Sequence, residues 1–156
     1  IVRPVLVPRS ARTSRQPSAL QVRSLRADYR AWAKRLGMTA VDESRRHRGR
    51  LARYPVTVNV DIDVGSSVGI ELAMEIAHPV EPTTLAADSE GRTVIEKGLV
   101  ALCRAPARAT YLRSIAVHRE GLCFRFAPLT PPDVVESSAL DAAAVIELAT
   151  TTNAYR

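Results

Sequence analysis

The chain has 156 residues, of which 46% are hydrophobic and 24% charged, enough to bury one core without disulfides. No apolar run approaches the ~18 residues of a membrane-spanning helix, and no secretory leader pattern is visible. The formal net charge of +6 hides an asymmetry: residues 1–53 hold 14 basic and three acidic groups, whereas residues 54–156 hold 8 basic and 13 acidic groups. A basic first third joined to an acidic remainder points to a negatively charged partner for that first third.

Arg outnumbers Lys twenty to two, so part of the excess reflects a GC-rich coding habit. Cys103 and Cys123 form no CxxC motif and read as thiols in a reducing compartment or virion, with an organellar matrix also compatible. The chain begins at Ile1 rather than Met, as in a processed product or a sequence numbered from an internal point.

Three segments are expected. Residues 1–17 hold three prolines, four arginines and no acid, the composition of an extended arm that orders on a surface; it also resembles an organelle transit segment. Residues 18–53 read as a basic helical segment. Ser18 and Gln21 match a capping box, Leu20, Leu25, Tyr29, Trp32 and Leu36 form a stripe, and Gly37 suits the terminus. Arg23, Arg26, Arg30 and Lys34 lie on the other side. A second helix is expected from Thr39 through Arg45, Arg46, Arg48, Arg50 and Arg53. The run AWAKRLGMTAVDESRRHR (31–48) resembles a helix-turn-helix element, with Glu43 and Arg46 at positions where that pattern has aliphatic residues. A basic helix or arm docking on phosphates, which guanidinium groups grip bidentately, is the preferred reading.

Residues 54–156 read as an α+β domain. Val56, Val58, Val60, Ile62 and Val64 are apolar at every second position, and Val68, Ile70, Leu72, Met74 and Ile76 continue the parity. This predicts a long antiparallel hairpin turning at Gly65-Ser66-Ser67, with Val64 facing Val68. In that register Asp61 opposes Glu71, which like charge disfavours. Solvation, cover by basic residues, or a metal ion would each relieve it. Val-Asp-Ile-Asp-Val resembles the hDhDh strand of nucleotidyltransferases and polymerase palms, which implies Asp61, Asp63 and Glu71 as Mg²⁺ ligands. The upstream Gly-Ser element of those enzymes is missing.

After a Pro-rich loop, a short helix from Ser89 to about Cys103 is expected, burying Leu99 and Leu102. A second hairpin follows, turning at Glu120-Gly121 and pairing Val117 with Phe124, with His118 facing Cys123. A closing helix capped by Thr130 carries Val135, Leu140, Ala142, Val145, Ile146 and Ala149 on its apolar side. The architecture is therefore α+β: a sheet of about four antiparallel strands in two hairpins, helices on one face, and a preceding basic arm and helix.

No GxSxG, Walker or HExxH motif occurs, so no catalytic group or cofactor is assigned and a non-enzymatic role is expected. The candidate nucleic-acid contacts are Arg9, Arg12, Arg15, Arg23, Arg26, Arg30, Lys34, Arg45, Arg46, Arg48, Arg50 and Arg53. The expected partners are nucleic acid, RNA ahead of DNA, and the other subunits of a ribosomal- or capsid-type assembly, without a membrane. The alternatives are a helix-turn-helix regulator, a protein–protein assembly module, or Mg²⁺-dependent phosphoryl transfer.

Overall fold

The computed structural model describes residues 3–6, 17–41, 45–60, 62, 69–76, 98–99, 101–102, 110–118 and 120–154. Helix α1 (Ala19–Arg35) starts where its sequence says it should. The Ser18 hydroxyl accepts from the Gln21 amide at 3.2 Å, and the Gln21 side chain accepts from the Ser18 amide at 2.9 Å. Two N–H groups that a bare helix start leaves unpaired are thereby satisfied. Past the helix, Gly37 takes φ +69. Val22, Leu25, Tyr29, Trp32 and Ala33 are buried. Leu20, expected in this stripe, is 75% exposed, because it stands roughly 140° around the helix from Leu25.

The second basic helix does not form. Residues 39–41 and 46–51 are strands instead: β2 (Thr39–Val41) pairs with β3 (Arg46–Leu51), which pairs with β4 (Tyr54–Asn59). The physical reason is a period of two within Arg-His-Arg-Gly-Arg-Leu. His47 and Leu51 are buried, while Arg48 and Arg50 are exposed. A helix would have spread the three arginines around its circumference, whereas a strand sends all of them to one face. Position 49 hides the pattern because it has no side chain; a Cβ there would run into the Met38 side chain. With strands in place of a second helix, the helix-turn-helix resemblance has no structural counterpart.

A tight turn at Ala52 (φ 50) and Arg53 (φ 67) joins β3 to β4. The next strand, β5 (Ile70–Glu75), pairs with β4 and keeps the expected parity, since Val56, Val58, Val60, Ile62, Ile70, Leu72 and Met74 are all buried. The register differs from expectation by two residues: Val58 faces Leu72 and Asn59 faces Glu71. A shift of two preserves every side chain's face, which a shift of one would not. The expected Val64–Val68 pairing and the Gly65-Ser66-Ser67 turn lie outside the described residues.

β6 (Leu112–His118) and β7 (Gly121–Phe126) form the second hairpin, again two residues from the expected register. Val117 faces Leu122, Ile115 faces Phe124, and an irregularity between Leu112 and Ser114 brings Leu112 opposite Phe126. Gly121 therefore belongs to the strand and not to the turn. His118 pairs with Gly121, and Cys123 pairs with Ala116 rather than with His118. Strand β7 joins the hairpins by pairing with β5, Leu72 opposite Phe124.

Among the described residues, six antiparallel strands between residues 39 and 126 thus make one sheet, against the expected four or so. Arg3–Leu6 (β1) adds a seventh by pairing with β6, so that part of the expected surface-dependent arm is a sheet edge. The full order is β1-β6-β7-β5-β4-β3-β2.

Helix α2 (Pro132–Ala154) closes the described fold. Thr130, expected as its cap, is buried and donates its hydroxyl to the Ala127 carbonyl at 2.7 Å; Pro132 holds the first helical position, where a missing N–H costs nothing. Val135, Ala139, Ala142, Ala143 and Ile146 face the core. Leu140, expected with them, falls between the turns of that stripe and is 44% exposed. Leu99 and Leu102 are buried as expected, and Gly98 lies so close to α2 that a Cβ would meet Val145. Both helices lie on the sheet face carrying Val58, Leu72, Ile115 and Phe124. They are tied by Tyr29 Oη to the Thr130 carbonyl at 2.8 Å and by Trp32 Nε1 to Glu136 Oε2 at 3.3 Å.

Candidate functional site

One sheet face is covered by helices, so the opposite face is where this fold presents side chains outward in a regular array. Strand β3 contributes Arg46, Arg48 and Arg50, each about 6.8 Å from the next by the rise of a strand. The pairing places them at the head of cross-strand rows. Arg46 opposes Asn59, which opposes Glu71, which opposes Arg125, which opposes Ser114. Arg48 heads the row Thr57, Ala73, Cys123 and Ala116. None of these four is larger than threonine or cysteine, so a low shelf runs away from Arg48 across four strands.

The charges on this face order themselves. Arg125 Nε lies 3.3 Å from Glu71 Oε1, with both side chains largely solvent-facing. The observed register therefore answers the expected Asp61–Glu71 repulsion in part: Glu71 faces Asn59 and is paired by a base from the neighbouring strand. Arg125 is not among the expected residues, because its place beside Glu71 comes from the pairing of β7 with β5. Cys123 carries a free thiol. Burial raises its pKa, the Glu71 carboxylate raises it further, and Arg125 acts in the opposite direction.

The remaining expected residues divide. Arg45 is exposed beside β3, and its carbonyl accepts from the Val60 amide at 2.7 Å. Arg53, on the β3–β4 turn, lies 3.6 Å from Glu147 of α2. Arg23, Arg26, Arg30 and Lys34 are on α1, across the sheet from the β3 arginines, so the structure splits the expected basic surface into two. Arg23, Arg26 and Arg30 line a groove of about 390 Å³ with Ala19, Val22 and Ala27. Arg26 Nη2 donates to the Ile62 carbonyl at 2.7 Å, which fixes its guanidinium beside the end of β4. Arg9, Arg12, Arg15, Asp61 and Asp63 lie outside the described residues. Among the described residues no three His, Cys, Asp or Glu side chains cluster as metal ligands, and no helix is long and apolar enough to cross a membrane.

No family model, curated protein or solved structure matches this chain.

Proposed function

We propose that the protein is a non-catalytic component of a nucleoprotein assembly that holds single-stranded RNA backbone against the open face of its sheet. The observation that carries this reading is the row Arg46, Arg48 and Arg50 standing beside a shelf of small side chains. Guanidinium groups take phosphate through two parallel hydrogen bonds and read no sequence in doing so. The shelf lets a strand lie close without steric conflict, and the described residues of this face include no Phe, Tyr or Trp on which bases would stack. Binding is therefore indifferent to sequence and carried by charge. A sheet face suits a single strand, whose backbone can follow it, better than a duplex. In this reading the acidic helix α2, which carries Asp133, Glu136, Asp141 and Glu147, is turned toward neighbouring subunits.

The test is fluorescence anisotropy of a labelled 20-nucleotide oligo(U) titrated with protein between 50 and 200 mM salt. Three neutralised phosphates give a log–log slope of about −2 for a single strand. The triple variant Arg46→Glu, Arg48→Glu, Arg50→Glu should lose that slope together with most of the affinity. Salt-independent binding, or an unchanged affinity in the triple variant, would overturn the proposal. Deleting residues 1–53 is not a usable test, because it removes α1 and β1–β3 along with the charge.

A further inference from the structure

On a surface helix the line furthest from the core is where charged side chains are expected. Both helices of this protein depart from that rule. On α1 the line opposite the buried Leu25 and Tyr29 is Leu20, Ser24, Ala27 and Ala31, all exposed, with Leu20 at 75%. Their four-three-four spacing is that of a heptad seam, with Arg23 and Arg30 on one flank and Asp28 and Arg35 on the other. On α2 the outermost line holds Leu140, Ala144 and Leu148, the leucines 44% and 64% exposed. Exposed apolar side chains gathered on one surface mark a place where another molecule sits. The two helices are also opposite in charge. α1 carries Arg23, Arg26, Arg30, Lys34 and Arg35 against the single acid Asp28, whereas α2 carries Asp133, Glu136, Asp141 and Glu147 and no base. Glu136 accepts from Trp32 and Glu147 lies near Arg53; whatever its local contacts, each helix keeps its own sign.

We infer that the outer surface of the helical layer is a dimer interface occupied by a second copy of this chain, α1 of each copy lying on α2 of the other. The two helices are neighbours on one sheet face, tied through Tyr29 to Thr130 and Trp32 to Glu136. A twofold axis in the plane of their outer surface, passing between them, therefore superposes unlike helices. The basic helix meets the acidic one twice, and the interface closes at two copies. Leu140 and Leu148 fall against the small side chains of Ala27 and Ala31 on the second copy's α1. Stacking like on like would instead set basic helix on basic helix. With lengths of about 25 and 34 Å and a width of about 10 Å per helix, the layer offers on the order of 500 Å² per copy, the lower end for a specific dimer. The expected affinity is micromolar. The dimer supplies the assembly with its first neighbouring subunit and does not depend on RNA, since stacked helical layers leave both open sheet faces outward.

The experiment is sedimentation equilibrium of the full chain without nucleic acid, over about 1–500 µM protein. A reversible rise toward twice the monomer mass is expected, weaker at high salt. Ala31→Glu sets an acid against α2 and Ala144→Arg a base against α1, both at exposed positions. Each variant alone should weaken self-association by about tenfold or more. An equimolar mixture should restore it, because the mixed pair has one contact where the two new charges meet and one that is unaltered. Melting temperatures check that both variants fold, and the wild-type measurement stands without them. A wild-type chain that stays monomeric throughout would overturn the inference, whatever other protein it binds. So would variants that associate as wild type does, or a loss that mixing fails to repair. The β3 triple variant should dimerise like wild type, so that failure of the dimer and failure of RNA binding are read separately.

Discussion

Tyr29 donates its hydroxyl to the carbonyl oxygen of Thr130 at 2.8 Å, and solvent reaches neither residue. The bond fastens α1 to the segment that leads into α2, so it joins the two helices covering the sheet. Replacing Tyr29 by Phe leaves a buried carbonyl without this partner and should cost about 1–3 kcal/mol, read as a lower urea midpoint at unchanged slope.

The same tyrosine predicts an alkaline limit. Burial, and then the nearby Asp133 carboxylate, raise its pKa well above the usual 10.0. The folded state therefore keeps its proton when the unfolded chain begins to lose it. This contribution to stability is present in full below about pH 10 and falls as pH rises from there toward the folded value. Melting curves from pH 8 to 11 should show a steeper alkaline decline in wild type than in Tyr29→Phe.

The β3–β4 turn carries avoidable strain. Ala52 and Arg53 both sit at positive φ, where a Cβ is unfavourable by about 1–2 kcal/mol; two-residue hairpins with this backbone prefer Asn-Gly. The Arg53–Glu147 pair is too exposed to compensate. Ala52→Asn with Arg53→Gly should raise stability by about 1–2 kcal/mol, a gain of several degrees in melting temperature.

Glycines 37 and 121 should respond very differently to alanine. At Gly121, φ is +155 and a Cβ would be driven into the Met74 carbonyl on β5. Backbone cannot yield there without opening the β5–β7 ladder, so Gly121→Ala should cost at least about 2 kcal/mol. At Gly37, φ is +69 but no neighbouring atom is within reach. Gly37→Ala should cost only about 1 kcal/mol. Equal effects in thermal melts would show that the close approach at Gly121 has been misjudged.

Cys123 should report on its row. Removing the negative charge with Glu71→Gln takes away one cause of its raised pKa, so the thiol ionises more readily. Removing Arg125 has the reverse sign. In a Cys103→Ser background, iodoacetamide labelling at pH 8 should run faster in Glu71→Gln and slower in Arg125→Gln, because the thiolate is the reacting form.

These positions also mark how far the sequence could be followed. The parity of Val56 to Met74 was plain because a β-branched run alternating with polar residues has few other solutions, and the Ser18–Gln21 box announced α1. Both hairpins were misplaced by two residues, for one reason: a pattern of period two fixes faces, and only turn geometry fixes the offset. Strand β3 was missed because its outward residues are three arginines and its central inward residue is a glycine. Charge count showed that the first third is basic; it could not show that tertiary pairing would divide those cations between two sides of a sheet. Arg125 went unmarked because its role depends on β7 lying beside β5, a neighbour relation between hairpins that no local pattern carries.

The edge strand β1 has a consequence for how the chain reaches this state. Arg3 pairs with Val117, so the first described strand waits for nearly the last before it can be stitched in. During synthesis this segment emerges long before its partner and stays unpaired until β6 has been made. Residues 3–6 thus close the β1 edge of the sheet only once a strand more than a hundred residues later is in place.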